Sequence, residues 1–60
     1  MDVTDLESAR YGLRIVQRDL HRALSEASPI EAIVLLPIIT LAVNLLDRVD
    51  TLIKAIGEDK

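Results

Sequence analysis

The stretch Ser28-Pro29-Ile30-Glu31 decides the fold of this 60-residue chain. Serine is a preferred residue immediately before a helix, and proline is favoured at the first helical position because the N–H that it lacks would have no partner there. Glu31 lies three residues after Ser28, the spacing at which the two side chains cap each other's backbone N–H groups. The stretch therefore predicts that a new helix begins at Pro29.

Upstream of this stretch, residues 3–27 have the pattern of one amphipathic helix. Thr4 is its predicted N-cap, with Asp5 and Glu7 near the positive end of the helix dipole. Apolar residues recur three and four residues apart, which is typical of a helix that packs along one seam. The two rows of the predicted seam are Leu6, Leu13, Leu20 and Ala27, and Ala9, Val16 and Ala23.

Downstream, a second helix is predicted over residues 29–57. Gly57 is placed as its C-terminal stop, and Lys54 in the last turn suits the negative end of the dipole. Pro37 has no N–H to donate to the preceding turn, so it predicts a kink. A continuous kinked helix is favoured over a separate helical turn at 29–36, because the apolar pattern continues in phase across the proline.

The second helix carries more apolar surface than one partner helix can cover. Its seam is flanked by further apolar residues, and a polar stripe at Thr40, Asn44 and Asp47 continues on the far side. Asp50 and Lys54 have the spacing of a helical ion pair. Because soluble monomers rarely expose large apolar patches, the surplus predicts self-association. The predicted oligomer interface is Leu35, Ile38, Ile39, Ala42, Leu45, Leu46, Val49, Leu52, Ile53 and Ile56.

The predicted architecture is all-α. The connection around residues 25–28 is short, which makes the two helices antiparallel. Residues 1–60 then form a single helical hairpin that assembles with itself, as a homodimer or higher oligomer, into a structure resembling a four-helix bundle. Sixty residues with no Cys and one His leave association as the remaining means of stabilisation, since neither disulfides nor a closed zinc site is available.

The residue types present argue against catalysis. No Gly-rich phosphate loop occurs, and His21, the single histidine, has no Cys beside it. We therefore expect no enzymatic activity, no cofactor and no metal. The chain has a net charge of −3, an acidic N-terminus and no apolar signal segment, which favours a cytoplasmic protein without a general attraction for nucleic acid.

The leading functional prediction is a small oligomeric interaction module, such as an assembly factor, adapter or regulator, whose macromolecular partner the sequence does not identify. One alternative is a nucleic-acid-binding regulator that uses an arginine stripe on the first helix. Another is a small membrane protein inserted through residues 30–46, although this apolar run is shorter than the roughly 20 residues of a typical span. The candidate partner-contact residues of the stripe are Arg10, Tyr11, Arg14, Arg18 and Arg22.

Overall fold

The computed structural model describes residues 2–58 and has two helices, α1 (Thr4–Ser25) and α2 (Pro29–Glu58). The helices pack against each other as a hairpin that measures 48 × 15 × 12 Å. The prediction of an all-α hairpin is confirmed. Helix α1 begins one residue later and ends two residues earlier than the predicted range 3–27, and α2 extends one residue beyond the predicted 29–57.

The predicted reciprocal cap at the start of α2 is confirmed. The backbone N–H of Ser28 donates to Oε1 of Glu31 at 2.9 Å, and the N–H of Glu31 donates to Oγ of Ser28 at 3.3 Å. The Ser28 carbonyl accepts the first bond of the helix, from Ala32, at 2.8 Å. Hydrogen bonds from the backbone and then the side chain of Ser28 hold the pKa of the Glu31 carboxyl below its ordinary value.

The start of α1 differs from the prediction, because Thr4 is its first helical residue and Val3 occupies the N-cap position. The side chain of Asp2 instead accepts from the backbone N–H of Thr4 at 2.9 Å and from its hydroxyl at 2.7 Å. As N-cap, Thr4 would accept from the backbone N–H of Glu7, but that N–H donates to the Val3 carbonyl at 2.8 Å. The backbone bond from Thr4 is the main cause of the lowered pKa of Asp2.

Two predictions about the interior and end of α2 have different outcomes. The helix runs through Pro37 without interruption, so residues 29–36 do not form a separate turn; the kink at Pro37 stays a prediction. Gly57 lies inside the helix and does not have positive φ, so the prediction that it stops α2 is wrong. Glycine ends helices when it adopts the left-handed conformation, and here Gly57 stays helical and Glu58 extends the helix.

The seam of α1 was predicted only in part. The row of Leu6 and Leu13 faces α2, but Ala9, Val16 and Ala23 are exposed, so the prediction for this second row is wrong. The row that contains Ala9 follows each leucine by three residues, and the row that contains Arg10 follows it by four. Both rows therefore lie next to the leucine row on the helix. The half-buried residues that lie along the side facing α2 are Val3, Leu6, Arg10, Leu13, Gln17, Leu20, Leu24 and Ala27.

Arg10, a polar residue of this inward row, contacts the other helix. Its Nη1 lies 3.1 Å from Oδ1 of Asp50 on α2, and both side chains are about 30% exposed. The pairing predicted between Asp50 and Lys54 is not found among residues 2–58, because Asp50 contacts the other helix instead. The core between the helices is thin: within residues 2–58, only Ile39 and Ala42 are buried, at 8% and 6% exposure.

Candidate interaction surfaces

The most conspicuous surface of the hairpin is apolar and belongs mainly to α2. Ile30 is 78% exposed, and Leu36 and Leu45 are each 52% exposed although they lie on different sides of the helix. Such a concentration is unusual for a soluble monomer and is typical of a surface with a partner. The exposed large apolar side chains of α2 are Ile30, Ile33, Val34, Leu36, Ile38, Leu41, Leu45 and Leu52.

Part of this surface forms a second heptad seam along α2. Its members alternate four and three residues apart, a spacing that Arg48 interrupts once with a charge. At 100° per residue, this row lies roughly 100° around the helix from the seam that packs on α1, so α2 has two distinct apolar faces. The members of the second seam are Val34, Ile38, Leu41, Leu45, Leu52 and Ala55, all of them exposed.

The exposed small residues of α1 lie on the same side of the hairpin. Ala9, Val16 and Ala23 each directly precede a residue of one inward-facing row of α1. Ile38, Leu45 and Leu52 hold the same position beside an inward-facing row of α2. When two helices pack antiparallel, rows in this position lie on the same side of the pair. The contact between Arg10 and Asp50 fixes the register. It places Val16 level with Leu45 to within about two residues. We call this surface the apolar flank: Ala9, Val16 and Ala23 from α1, with Val34, Ile38, Leu41, Leu45, Leu52 and Ala55 from α2.

The ten residues predicted as an oligomer interface fall into two groups. Ile38, Leu45 and Leu52 lie on the apolar flank. The other seven face α1 within the hairpin, where Ile39 and Ala42 are buried and the rest half-buried: Leu35, Ile39, Ala42, Leu46, Val49, Ile53 and Ile56. Val34, Leu41 and Ala55 also lie on the apolar flank and are not among the ten. The four-and-three spacing of the sequence connects them to Ile38 and Leu45.

Charged residues border the apolar flank, and they differ between the two helices. On α1, the outer border carries the exposed acids Asp5, Asp19 and Glu26, with Gly12 at the remaining heptad position. Asp19 also accepts from Nε of Arg18 at 3.3 Å. We call these three acids the acidic border. The equivalent position on α2 is Arg48, which forms no ion pair with any residue in the described part of the chain and lines an open surface depression with Leu52 and Ala55.

The predicted arginine stripe is divided by the structure. Arg10 contacts Asp50 across the hairpin and is half-buried, so it does not join the others. The remaining arginines are exposed, and Tyr11 is 68% exposed beside them. We call Tyr11, Arg14, Arg18 and Arg22 the cationic face. It lies on the back of α1, away from the apolar flank, so contacts at one surface leave the other accessible.

Other polar groups do not converge on a reactive centre. The exposed His21 donates from Nδ1 to the backbone carbonyl of Gln17 at 2.8 Å, and Thr40 donates from Oγ1 to the Leu36 carbonyl at 3.0 Å. Asn44 is exposed on the predicted polar stripe. Within residues 2–58 no group of three or more His, Cys, Asp or Glu side chains has the arrangement of a metal site.

Comparisons with protein-family models, with curated protein sequences and with solved structures return no match for this chain. Helix α2 is long and apolar enough, by length and composition, to cross a membrane. The core helix of a soluble protein passes the same test but is mostly buried, whereas 11% of the apolar window of α2 is buried within the hairpin. Length and composition by themselves are weak support for a membrane location.

Proposed function

We propose that this chain is a non-enzymatic helical interaction module that works as a homo-oligomer, with the apolar flank as its association surface. The observation that carries the proposal is the second heptad seam of α2, whose large apolar side chains lack a partner within the hairpin. A helix with two packing faces is the arrangement found in four-helix bundles, where each helix has two neighbours.

The cationic face supports a role in binding another macromolecule. It is exposed, and because it lies away from the apolar flank it stays accessible after association. Arginine forms bidentate contacts with carboxylates and phosphates, and a symmetric oligomer presents the face once per subunit. An assembly factor, adapter or regulator combines these two properties, namely self-association on one side and a charged contact surface on the other.

Two leucines of α2 give a matched test of the association surface. Leu45 and Leu36 are equally exposed, at 52%, but Leu45 lies on the apolar flank and Leu36 on the opposite side of the hairpin. Leu45→Asp should raise the dissociation constant of the oligomer at least about a hundredfold, since each subunit loses a buried leucine and gains a desolvated charge. Leu36→Asp should leave the oligomer intact. Sedimentation velocity over a concentration series measures both.

Circular dichroism first establishes that both variants retain helix. An unchanged dissociation constant for Leu45→Asp, or an equal loss in both variants, would show that the apolar flank is not the association surface.

Membrane insertion is a second candidate function, favoured by the length and apolar composition of α2. In that case, residues 30–46 would contact lipid, and the apolar flank would not need a protein partner. Flotation with zwitterionic vesicles separates the two candidates. Protein that stays with the buffer fraction and retains its oligomeric mass supports the interaction module, whereas protein that floats and resists alkaline extraction supports insertion.

A further inference from the structure

We infer that the occupant of the apolar flank is a second copy of this chain, and that the two hairpins pack with their connecting loops at the same end of the assembly. In this arrangement, α1 of one copy packs on α2 of its partner, related by a two-fold axis parallel to the helices. The inference rests on the proposed function and specifies the partner and the geometry of its association surface.

The first support is the division of side-chain size across the apolar flank. The α1 half presents Ala9, Val16 and Ala23, whereas the α2 half has larger side chains over most of its length and Val34 and Ala55 at its two ends. With the loops at the same end, α1 of one copy lies on α2 of the other in the same register as α1 and α2 have within one hairpin. Each small residue then faces a large one, which allows the layers to interdigitate. The resulting pairs are Ala9 with Leu52, Val16 with Leu45, and Ala23 with Ile38.

The second support is charge complementarity at the borders of the flank. The acidic border of one copy then runs beside the border of the partner's α2, where Arg48 is an exposed cation and Glu31 is an exposed acid at the loop end. Arg48 lies level with Gly12 of the partner, midway between Asp5 and Asp19 of the same partner. Seven residues of helix rise about 10 Å, so both carboxylates are close to one Debye length away. The absent side chain of Gly12, with nothing within 4 Å of its Cβ position, leaves space for the guanidinium.

The opposite arrangement, with the loops at opposite ends, fits less well. It packs α1 on α1 and α2 on α2, so small residues meet small ones and large residues meet large ones. The two acidic borders would also face each other, with Asp5 beside Glu26 of the partner. Like charges in contact destabilise an interface. Contacts between small residues would also leave gaps, while contacts between large residues would be crowded.

Spin labels at one outward row of α2 distinguish the two arrangements. Ile30→Cys places a label at the loop end, and Asn44→Cys places one near the middle; both positions are exposed and lie outside the apolar flank. Packed helices are about 8–10 Å apart, so labels at the same end should be less than about 35 Å apart. With the loops at opposite ends, the Ile30 labels would approach the 48 Å length of the hairpin.

The measurement is pulsed dipolar spectroscopy on the full chain in buffer. We expect a distance below about 35 Å at both positions. A short distance at Asn44 with a distance near 48 Å at Ile30 would overturn the loop-together geometry while leaving self-association intact. The absence of dipolar coupling at both positions, with a monomeric mass or with recovery of the protein only in lipid, would contradict the proposed function itself.

Discussion

At the scale of single residues, the contact between Arg10 and Asp50 is the ion pair that joins the mixed row of α1 to α2. The two side chains are about 30% exposed and 3.1 Å apart. In a double-mutant cycle with Arg10→Gln and Asp50→Asn, we expect a coupling free energy of about 0.5–1 kcal/mol at low salt. Urea denaturation of the four proteins measures it. The coupling should decrease as salt is added, and a coupling of zero at low salt would argue that the pair does not fix the register.

The reciprocal cap at Ser28 and Glu31 is the residue-scale feature that depends on pH. Because folding lowers the pKa of Glu31, its contribution to stability is present above the ordinary carboxyl range and is lost as pH falls through that range and below it. Ser28→Ala should cost about 1 kcal/mol at neutral pH. The effect of Glu31→Ala should not add to it, since each cap depends on the other.

Thermal unfolding followed by circular dichroism between pH 3 and 7 tests the cap. Glu31→Gln should reduce the acid sensitivity of the melting temperature. Asp2→Asn is the matched control, because it removes the carboxyl at the start of α1 whose pKa is also lowered. If the melting temperature of Ser28→Ala equals that of the parent protein at neutral pH, the cap does not stabilise α2.

At the scale of the helices, the sequence predicted α2 better than α1. The inward rows of α2 are uniformly apolar, so one pattern fits. In α1 the choice lay between an apolar row and a row with Arg10 and Gln17. Polarity argued for the apolar row, because the sequence does not reveal that Arg10 reaches Asp50 on the other helix. The two faces of α2 were also merged into one broad interface, since a heptad count alone does not assign each row to its partner.

The corrected seam of α1 makes a prediction about two neighbouring residues. Gln17 is half-buried against α2, so Gln17→Leu should stabilise the hairpin by roughly 1 kcal/mol. Val16 is 46% exposed on the apolar flank, so Val16→Gln should leave the hairpin intact and weaken only the association. Urea denaturation and sedimentation measure the two effects separately. A strong loss of helix in dilute Val16→Gln, with no gain in Gln17→Leu, would restore the seam predicted from the sequence.

At the scale of the whole molecule, net charge opposes the hypothesis of nucleic-acid binding. The chain carries −3, and the structure removes Arg10 from the predicted stripe. We therefore expect no binding of labelled RNA or DNA near physiological salt. Binding that weakens steeply with salt, and whose salt dependence flattens in Arg14→Gln/Arg18→Gln, would instead identify the cationic face as a phosphate-binding surface. Unchanged helix content and oligomeric mass in that variant provide the control.

The core of the hairpin is thin for a protein that would be stable as a monomer. Within residues 2–58 two side chains are buried, while the apolar flank is exposed along most of the hairpin. A chain of this size gains little net stability from its own core, which is why we propose that association supplies the rest.

The molar mass in solution tests this conclusion most directly. Light scattering on the purified chain at tens of micromolar should give a multiple of 6.7 kDa, and dilution should lower the mass and the melting temperature together. A mass of 6.7 kDa that is independent of concentration, combined with cooperative unfolding, would contradict it.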